Sequence, residues 1–506
     1  MAQQLQNITI SAPAFKGLNT QDSPITGDPS FAAVADNCVI DTFGRIGARK
    51  GFNTLTTDAT ELGSSSIASM GYFEDDGGNT KVFSAGNNKI LSGIVTLTDE
   101  TPASYTITSD NWKMVNFNDS MYFFQRGYEP LVYTHADGMV KMSDATFASG
   151  TPPEAHECLA AYGRLWCADF STDKQTVQWS DLLNGTAWSG GTSGQINLSK
   201  VWPDGHDEIV ALSAHNGFLI IFGKNSTVVY AGAEDPATMV LQDTFAGLGC
   251  IARDSVQHTG NDIFFLSHAG LRSFGRLIQD KSFPNKDISK NIRNDFIGLV
   301  NVNATDQIKS IYSPENAFYL ITLGSVNITF CFDMRGSLED GSHRVTRWPS
   351  TPFKAMVRTE SGTLYVGNDV GVGTYENYKD NDELYVLRYY SNPLVFGDSS
   401  RTKILKKVIP TVITEGGINV SVKWGYDFSD SFSSSFIPVP SLTGAQYGEA
   451  EYGISEYAAS SGNILKKAVN TTGNGSVVTV GLEADIDGQR FSLQELNIQA
   501  LIGRTI

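Results

Sequence analysis

The chain has 506 residues, with 37 Lys and Arg against 54 Asp and Glu, a formal net charge of −17. That length allows two to four domains. So acidic a balance argues against nucleic-acid binding as the main task, because neutralising phosphates needs clustered Lys and Arg, and no apolar run approaches the roughly eighteen residues of a membrane span.

Residues 1–60 carry no hairpin pattern. They hold a turn-rich stretch, FKGLNTQDSPITGDPS, and then NCVIDTFGRIGARKGF. The opening MAQQLQNITISAPAF has neither a charged n-region nor a long apolar h-region, so no signal peptide is expected.

From residue 67 to residue 376 one hairpin recurs. Each copy is an apolar run, a short turn and a second apolar or aromatic run. The copies include MVNFNDSMYFFQRGYEPLVY, LAAYGRLWCADFSTDKQTVQW, ALSAHNGFLIIFGKNSTVVY and IYSPENAFYLITLGSVNITF, with a weaker one at 67–91. Taking the first residue after each central turn gives Val82, Met121, Leu165, Phe218, Ile263, Phe318 and Leu364, at gaps of 39 to 55 residues. A four-stranded propeller blade needs roughly 40–50 residues. One such sheet cannot bury both faces alone, but radial packing against neighbours can. The fold expected is therefore all-β: an irregular β-propeller of about six or seven blades over 61–385. The 49 glycines and the Asn/Asp/Ser/Thr clusters between runs supply the turns. Within this region DISKNIRNDFIGLV (287–300) places Ile288, Ile292, Phe296 and Val300 on one helical face and predicts a connecting helix.

After residue 385 the period stops. LYVLRYYSNPLVF, KILKKVIPTVITEGGINVSVKWGYDF, SVVTVGLEADI and FSLQELNIQALIG alternate as strands of an antiparallel β-sandwich over 386–506. Between them 429–462, rich in Ser, Gly and Tyr, predicts a long loop or arm that orders against another surface. The N-terminal segment is expected to pack on this sandwich or on a neighbouring subunit.

Chemistry-bearing patterns are sparse. There is no GxSxG, HExxH or P-loop. The seven His are scattered, with His258 and His268 either side of one predicted turn. Asp485-Ile-Asp487-Gly488 mimics half of a calcium loop without the distal Glu. The five Cys (Cys38, Cys158, Cys167, Cys250, Cys331) have no metal spacing and read as free buried thiols in a reducing compartment, with Cys158 and Cys167 able to oppose each other across two strands. No catalytic set, metal or cofactor is expected, and the chain is read as no enzyme. The alternative is a propeller carbohydrate hydrolase or lyase with a carbohydrate-binding sandwich. In that reading Trp179, Trp188, Trp202 and Trp348 are exposed for sugar stacking, and a carboxylate pair stands at the propeller mouth. The small basic clusters (Arg45, Arg49 and Lys50; Lys403, Lys406 and Lys407; Lys466 and Lys467) are solvated faces or ion-pair partners.

Both ends carry a resemblance. Phe15-Lys16-Gly17-Leu18-Asn19-Thr20-Gln21-Asp22-Ser23-Pro24, then Asp36-Asn37-Cys38 and Gly44-Arg45-Ile46-Gly47-Ala48-Arg49-Lys50-Gly51-Phe52, resemble the opening of tail nozzle proteins of short-tailed bacteriophages, the tail tubular protein B or tail hub, DNA-stabilisation type. Phe491-Ser492-Leu493-Gln494-Glu495-Leu496 and Gly503-Arg504 resemble the way those chains end. The resemblance implies a structural virion protein assembled in the host cytoplasm, a homohexameric ring below a tail adaptor. Such a ring retains packaged DNA, passes it at ejection without sequence-specific contact, and meets tail fibre or needle proteins. On this reading Arg45, Arg49, Lys50, Tyr447 and Tyr452 are the candidate contacts to a neighbouring subunit or the adaptor.

Overall fold

The computed structural model describes residues 4–25, 27–260, 262–275, 287–439 and 463–505. Each of the seven anchor residues falls in the second strand of its own antiparallel sheet. Two-residue turns with both φ positive join the first and second strands, as at Asn118–Asp119, Tyr162–Gly163 and Asn216–Gly217. Such turns carry the twist that paired strands need, which is why Asn, Asp and Gly recur there. The second strands are apolar on both faces, and Arg164–Phe170 is buried throughout.

Six of these sheets are four-stranded blades. Blade 1 spans 69–99, blade 2 113–141, blade 3 155–197, blade 4 209–245, blade 5 308–349 and blade 6 355–376. Among the described residues a sheet of three strands (257–273) stands between blades 4 and 5. The weak copy at 67–91 is a full blade. Separate apolar cores lie between successive sheets: Phe83 and Phe123 between blades 1 and 2, Phe124 and Leu165 between 2 and 3, Trp166 and Leu219 between 3 and 4. Phe222 and Phe265 join blade 4 to the small sheet, Phe318 and Val366 join blades 5 and 6, and Leu91 and Val372 close the ring from blade 6 to blade 1. The structure is thus a β-propeller.

The fourth strand of blade 6 is Gly51–Thr54, delivered from the N-terminal side. The segment 1–60 therefore divides near Lys50. Upstream of that point, Gln4–Ser11 pairs with the last strand, Phe491–Thr505, Cys38–Ile40 pairs with Ile46–Ala48, and Ala32–Asp36 lies beside Tyr385–Ser391. The C-terminal region forms two sheets facing each other. One is built on Arg401–Thr414 and Phe491–Thr505. The other runs Tyr385–Ser391, Val478–Ile486, Ile418–Tyr426, Ser433–Val439. Leu405 and Val412 meet Val420, Val422 and Leu482 between them. The second sheet continues through Ala32–Asp36 into blade 5, where Asp36 pairs with Arg347, so sandwich and propeller share one nine-stranded sheet.

The connecting helix is present, as Arg293–Leu299 after a 3-10 turn, with Ile288, Ile292 and Phe296 buried. No described helix is long and apolar enough to cross a membrane. All five cysteines are free and buried, and Cys158 sits directly opposite Cys167.

Candidate functional site

The first strands of the blades and of the small sheet line the propeller axis, and polar or charged residues stand at their starts: Asn111 and Lys113, His156 and Glu157, Asp207 and Glu208, Arg253 and Asp254, Asp306 and Lys309. Radial packing brings them to one end of the axis, around a cup of about 490 Å³. Arg253 and Lys309 are each 6% exposed. The Arg253 guanidinium is bidentate on Asp254 (2.8 and 2.9 Å) and also donates to the His156 carbonyl (2.7 Å) and to Asn111 Oδ1 (3.0 Å). Lys309 Nζ donates to the same Asn111 Oδ1 and to Asp254 Oδ2, both at 2.6 Å. Asn111 leads into blade 2 and Lys309 lies in blade 5, so these bonds cross the axis. Side chains fill it at this level, and the cup is a recess above them.

Round the rim, His156 Nδ1 donates to Gln125 Oε1 (2.6 Å), and Gln125 Nε2 donates to Ser109 Oγ (2.6 Å). Arg126 pairs with Asp169, and Glu208 accepts from Lys174 (3.4 Å) and Lys224 (2.6 Å). Burial, with the positive charges of Arg253, Arg126 and Lys309, pushes the His156 imidazole down to about 2, so it is neutral. Burial raises the carboxyls of Glu157 and Asp169, against the pull of Lys113 and Arg253 on the first and Arg126 on the second. At Asp254 burial also acts upward, but Arg253 and Lys309 outweigh it and hold the group well below the usual carboxylate range.

Carboxyls pushed apart in this way are what acid–base chemistry uses. Here, however, Glu157 is 1% exposed and stands behind the cup wall, 3.3 Å from Lys113, and Asp169, in the wall itself, is engaged by Arg126. The arrangement braces five sheets by interlocking ion pairs at the axis. Among the described residues no group of three or more His, Cys, Asp and Glu is placed to hold a metal ion.

The residues singled out in the sequence lie elsewhere. Arg49 is 2% exposed and is spent inside the chain. It is bidentate on Asp380 (2.8 and 2.6 Å), donates from Nε to Asn37 Oδ1 (3.0 Å) and lies 4.1 Å from the Tyr385 ring. It cannot reach a neighbour, because the joint between blade 6 and the sandwich closes over it. Arg45 stacks 4.3 Å over Phe43 and lies 4.0 Å from Asp41, and Lys50 is exposed. Tyr447 and Tyr452, with most of the 429–462 arm, lie outside the described residues. Lys403 is buried and donates to the Asp398 carbonyl, so it is no solvated face. His258 and His268 stand at opposite ends of Ile263–Ser267 rather than together; the neighbour of His258 is His215, at 6.1 Å between rings. Asp487 pairs with Lys379 at 2.8 Å. Trp179, Trp202 and Trp348 are buried and Trp188 half-buried, because their rings fill the spaces between sheets, so they offer no sugar platform.

No protein-family model and no curated protein matches the chain. Among solved structures it is similar to the extracellular domain of a one-component system from B. thetaiotaomicron (10% identity, TM-score 0.41, covering 66% of this chain and 41% of that one). It is also similar to a streptogramin B lyase (10%, 0.37, covering 64% and 97%) and to the WD40 β-propeller domain of Doa1 (10%, 0.35, covering 61% and 92%). The chain thus spans well under half of the first of these. Likeness at this level carries no argument about function.

Proposed function

We propose that the chain is a structural subunit of a virion, the tail nozzle of a short-tailed bacteriophage. About six copies close the tail tube as a symmetric ring, retain the packaged genome and let it pass at ejection. The observation that supports this most is the use made of the residues that carry the resemblance. Phe15 is buried edge-on against Tyr389 (5.5 Å), and the Leu18 amide donates to the Val345 carbonyl (2.8 Å). A Cβ on Gly17 would lie 2.5 Å from that same carbonyl oxygen. Asn37 and Arg49 bind each other, Phe52 enters the blade 5–6 core, and Ser492 and Leu493 pair with Gly47 and Ile46. These residues weld propeller and sandwich into one rigid body, as a ring subunit under genome pressure requires.

The acidic surface suits a DNA path, since it repels phosphates and lets a duplex slide. That path runs through the space enclosed by the ring, because the axis of each propeller is crossed by Arg253, Lys309 and Asn111. Particles assembled without this chain, on this reading, package DNA and then lose it, and their genomes become nuclease-sensitive. Particles that keep a nuclease-resistant genome without it would refute the retention role.

A further inference from the structure

The ion pairs that brace the foot of the axial cup leave donors and acceptors unused at its rim. Arg126, Lys174 and Lys224 stand in the turns between second and third strands of blades 2, 3 and 4, and all three line the recess. Arg126 gives Nε to the Asp169 carbonyl and one Nη to its carboxylate, and its other Nη has no partner among the described residues. Lys174 and Lys224 each make one side-chain bond, both to the same Glu208 oxygen (3.4 and 2.6 Å), so each ammonium keeps donors to spare. Asp169 holds φ of 60° inside Arg164–Phe170, a backbone form that residues with a side chain seldom adopt. Its carboxylate stands in the cup wall and fixes Arg126 there.

Across the axis, the 3-10 turn Thr305–Gln307 leads into blade 5 and brings Asp306 to the opposite rim. The Asp306 carboxylate is exposed and has neither a hydrogen bond nor an ion pair among the described residues. Lys309, whose charge it feels, is committed to Asn111 and Asp254. The rim is thus divided into two arcs, spare donors on blades 2 to 4 and a spare acceptor on blade 5. Yet the charges of the cup cancel. With Arg253 the lining holds four cations, and with Asp254 four carboxylates. Behind the wall Lys113 and Lys309 balance Glu157 and Asp207.

A simple anion would be drawn to the donor arc and repelled by Asp306, and a simple cation the reverse. A ligand with one charge of each sign, set apart, satisfies both. The volume of about 490 Å³ falls in the range of small-molecule sites, roughly 300–1,000 Å³, and Ile209, Val210 and Ile251 give the cup an apolar stretch of wall. We propose that the cup binds a small zwitterion, a short peptide with both ends free. Its carboxylate meets Lys174, Lys224 and the idle Nη of Arg126, its ammonium meets Asp306, and an aliphatic side chain lies on the apolar wall. The cup is complete in one copy, so this site is independent of ring assembly.

The test is isothermal titration calorimetry at low salt with leucyl-leucine, its N-acetylated form, its C-terminal amide and the doubly blocked form. Blocking either end should weaken binding to the wild type about tenfold or more, as the loss of a charge-assisted hydrogen bond does. The variants are Lys174→Gln with Lys224→Gln, and Asp306→Asn, all at rim positions, with circular dichroism to confirm the fold. In the lysine variant amidation should no longer matter while acetylation still does. In Asp306→Asn the pattern should reverse. No binding of the free dipeptide at millimolar concentration would overturn the site. A free dipeptide that binds no tighter than the doubly blocked one, or a penalty at one end alone, would overturn the zwitterion. Penalties that stay the same in both variants would place the ligand elsewhere and overturn the assignment to the cup.

Discussion

Replacing Arg49 by Met keeps the length and volume of the stem and removes every polar contact of the head. The head makes four hydrogen bonds: two to Asp380, one to Asn37 Oδ1 and one to the Lys50 carbonyl (2.9 Å). Breaking a buried ion pair from one side costs about 3–5 kcal/mol, because the remaining charge is stranded. Asp380 is 21% exposed and can recover some hydration, which favours the lower end. The stranded Asn37 Oδ1 adds about 1 kcal/mol or more, so a loss of about 4 kcal/mol is expected. Asp380→Asn should cost nearly as much, and the two together less than their sum, with a coupling of about 1–3 kcal/mol. Urea unfolding followed by tryptophan fluorescence reads this directly, since Trp348 lies 5.8 Å from the guanidinium. A loss below about 1 kcal/mol for Arg49→Met would refute the view that this pair locks blade 6 to the sandwich.

His156 should make acid weaken the fold from pH 6.5 downward, against an opposite contribution from Glu157 and Asp169, whose carboxyls are raised by burial. The unfolded His156 binds its proton near pH 6.5 and the folded one only at about 2, so the unfolded state holds more protons between those values and stability falls with pH, by about 2 kcal/mol at pH 5. His156→Gln should flatten that slope in a pH series of urea melts; an unchanged slope would contradict a neutral buried imidazole. Asp254 adds a second loss at still lower pH, because its depressed folded value keeps its contribution intact until pH falls below the unfolded value. Gly51→Ala should cost about 3 kcal/mol by overpacking, since the added Cβ would lie 1.7 Å from the Lys379 carbonyl oxygen; a neutral result in the same melts would show that the blade 6 closure yields. Thiol titration should find no reactive cysteine in the native chain and five after denaturation; Cys250, for one, is pushed up to about 12 by burial.

The blades were legible because their turns announce themselves. Asn-Asp, Tyr-Gly and Asn-Gly at two-residue spacing fix hairpins, and the anchors after them, from Val82 to Leu364, all fall on second strands. Closure was not legible. Gly51–Thr54 is four residues of strand separated from its partner by more than 300 positions, and nothing local marks it as the edge of blade 6. The axial cluster left a faint trace, a charged residue or pair at the start of successive repeats: HE at 156, DE at 207, RD at 253, DQIK at 306. Read singly these are ordinary strand caps. Only the radial arrangement brings Arg253, Asp254, Lys309 and Asn111 into contact. Arg49 is the ion-pair partner that its basic cluster allowed and not a contact to a neighbour, and nothing local tells the two apart, because its partner Asp380 and its covering ring Tyr385 lie more than 300 positions away.

The mass of the purified chain in solution, alone and mixed with tail adaptor protein, tests the central claim most directly. A ring of about six copies, or a monomer that assembles only on the adaptor, is the predicted result. A stable monomer that ignores the adaptor and cleaves polysaccharide would contradict it.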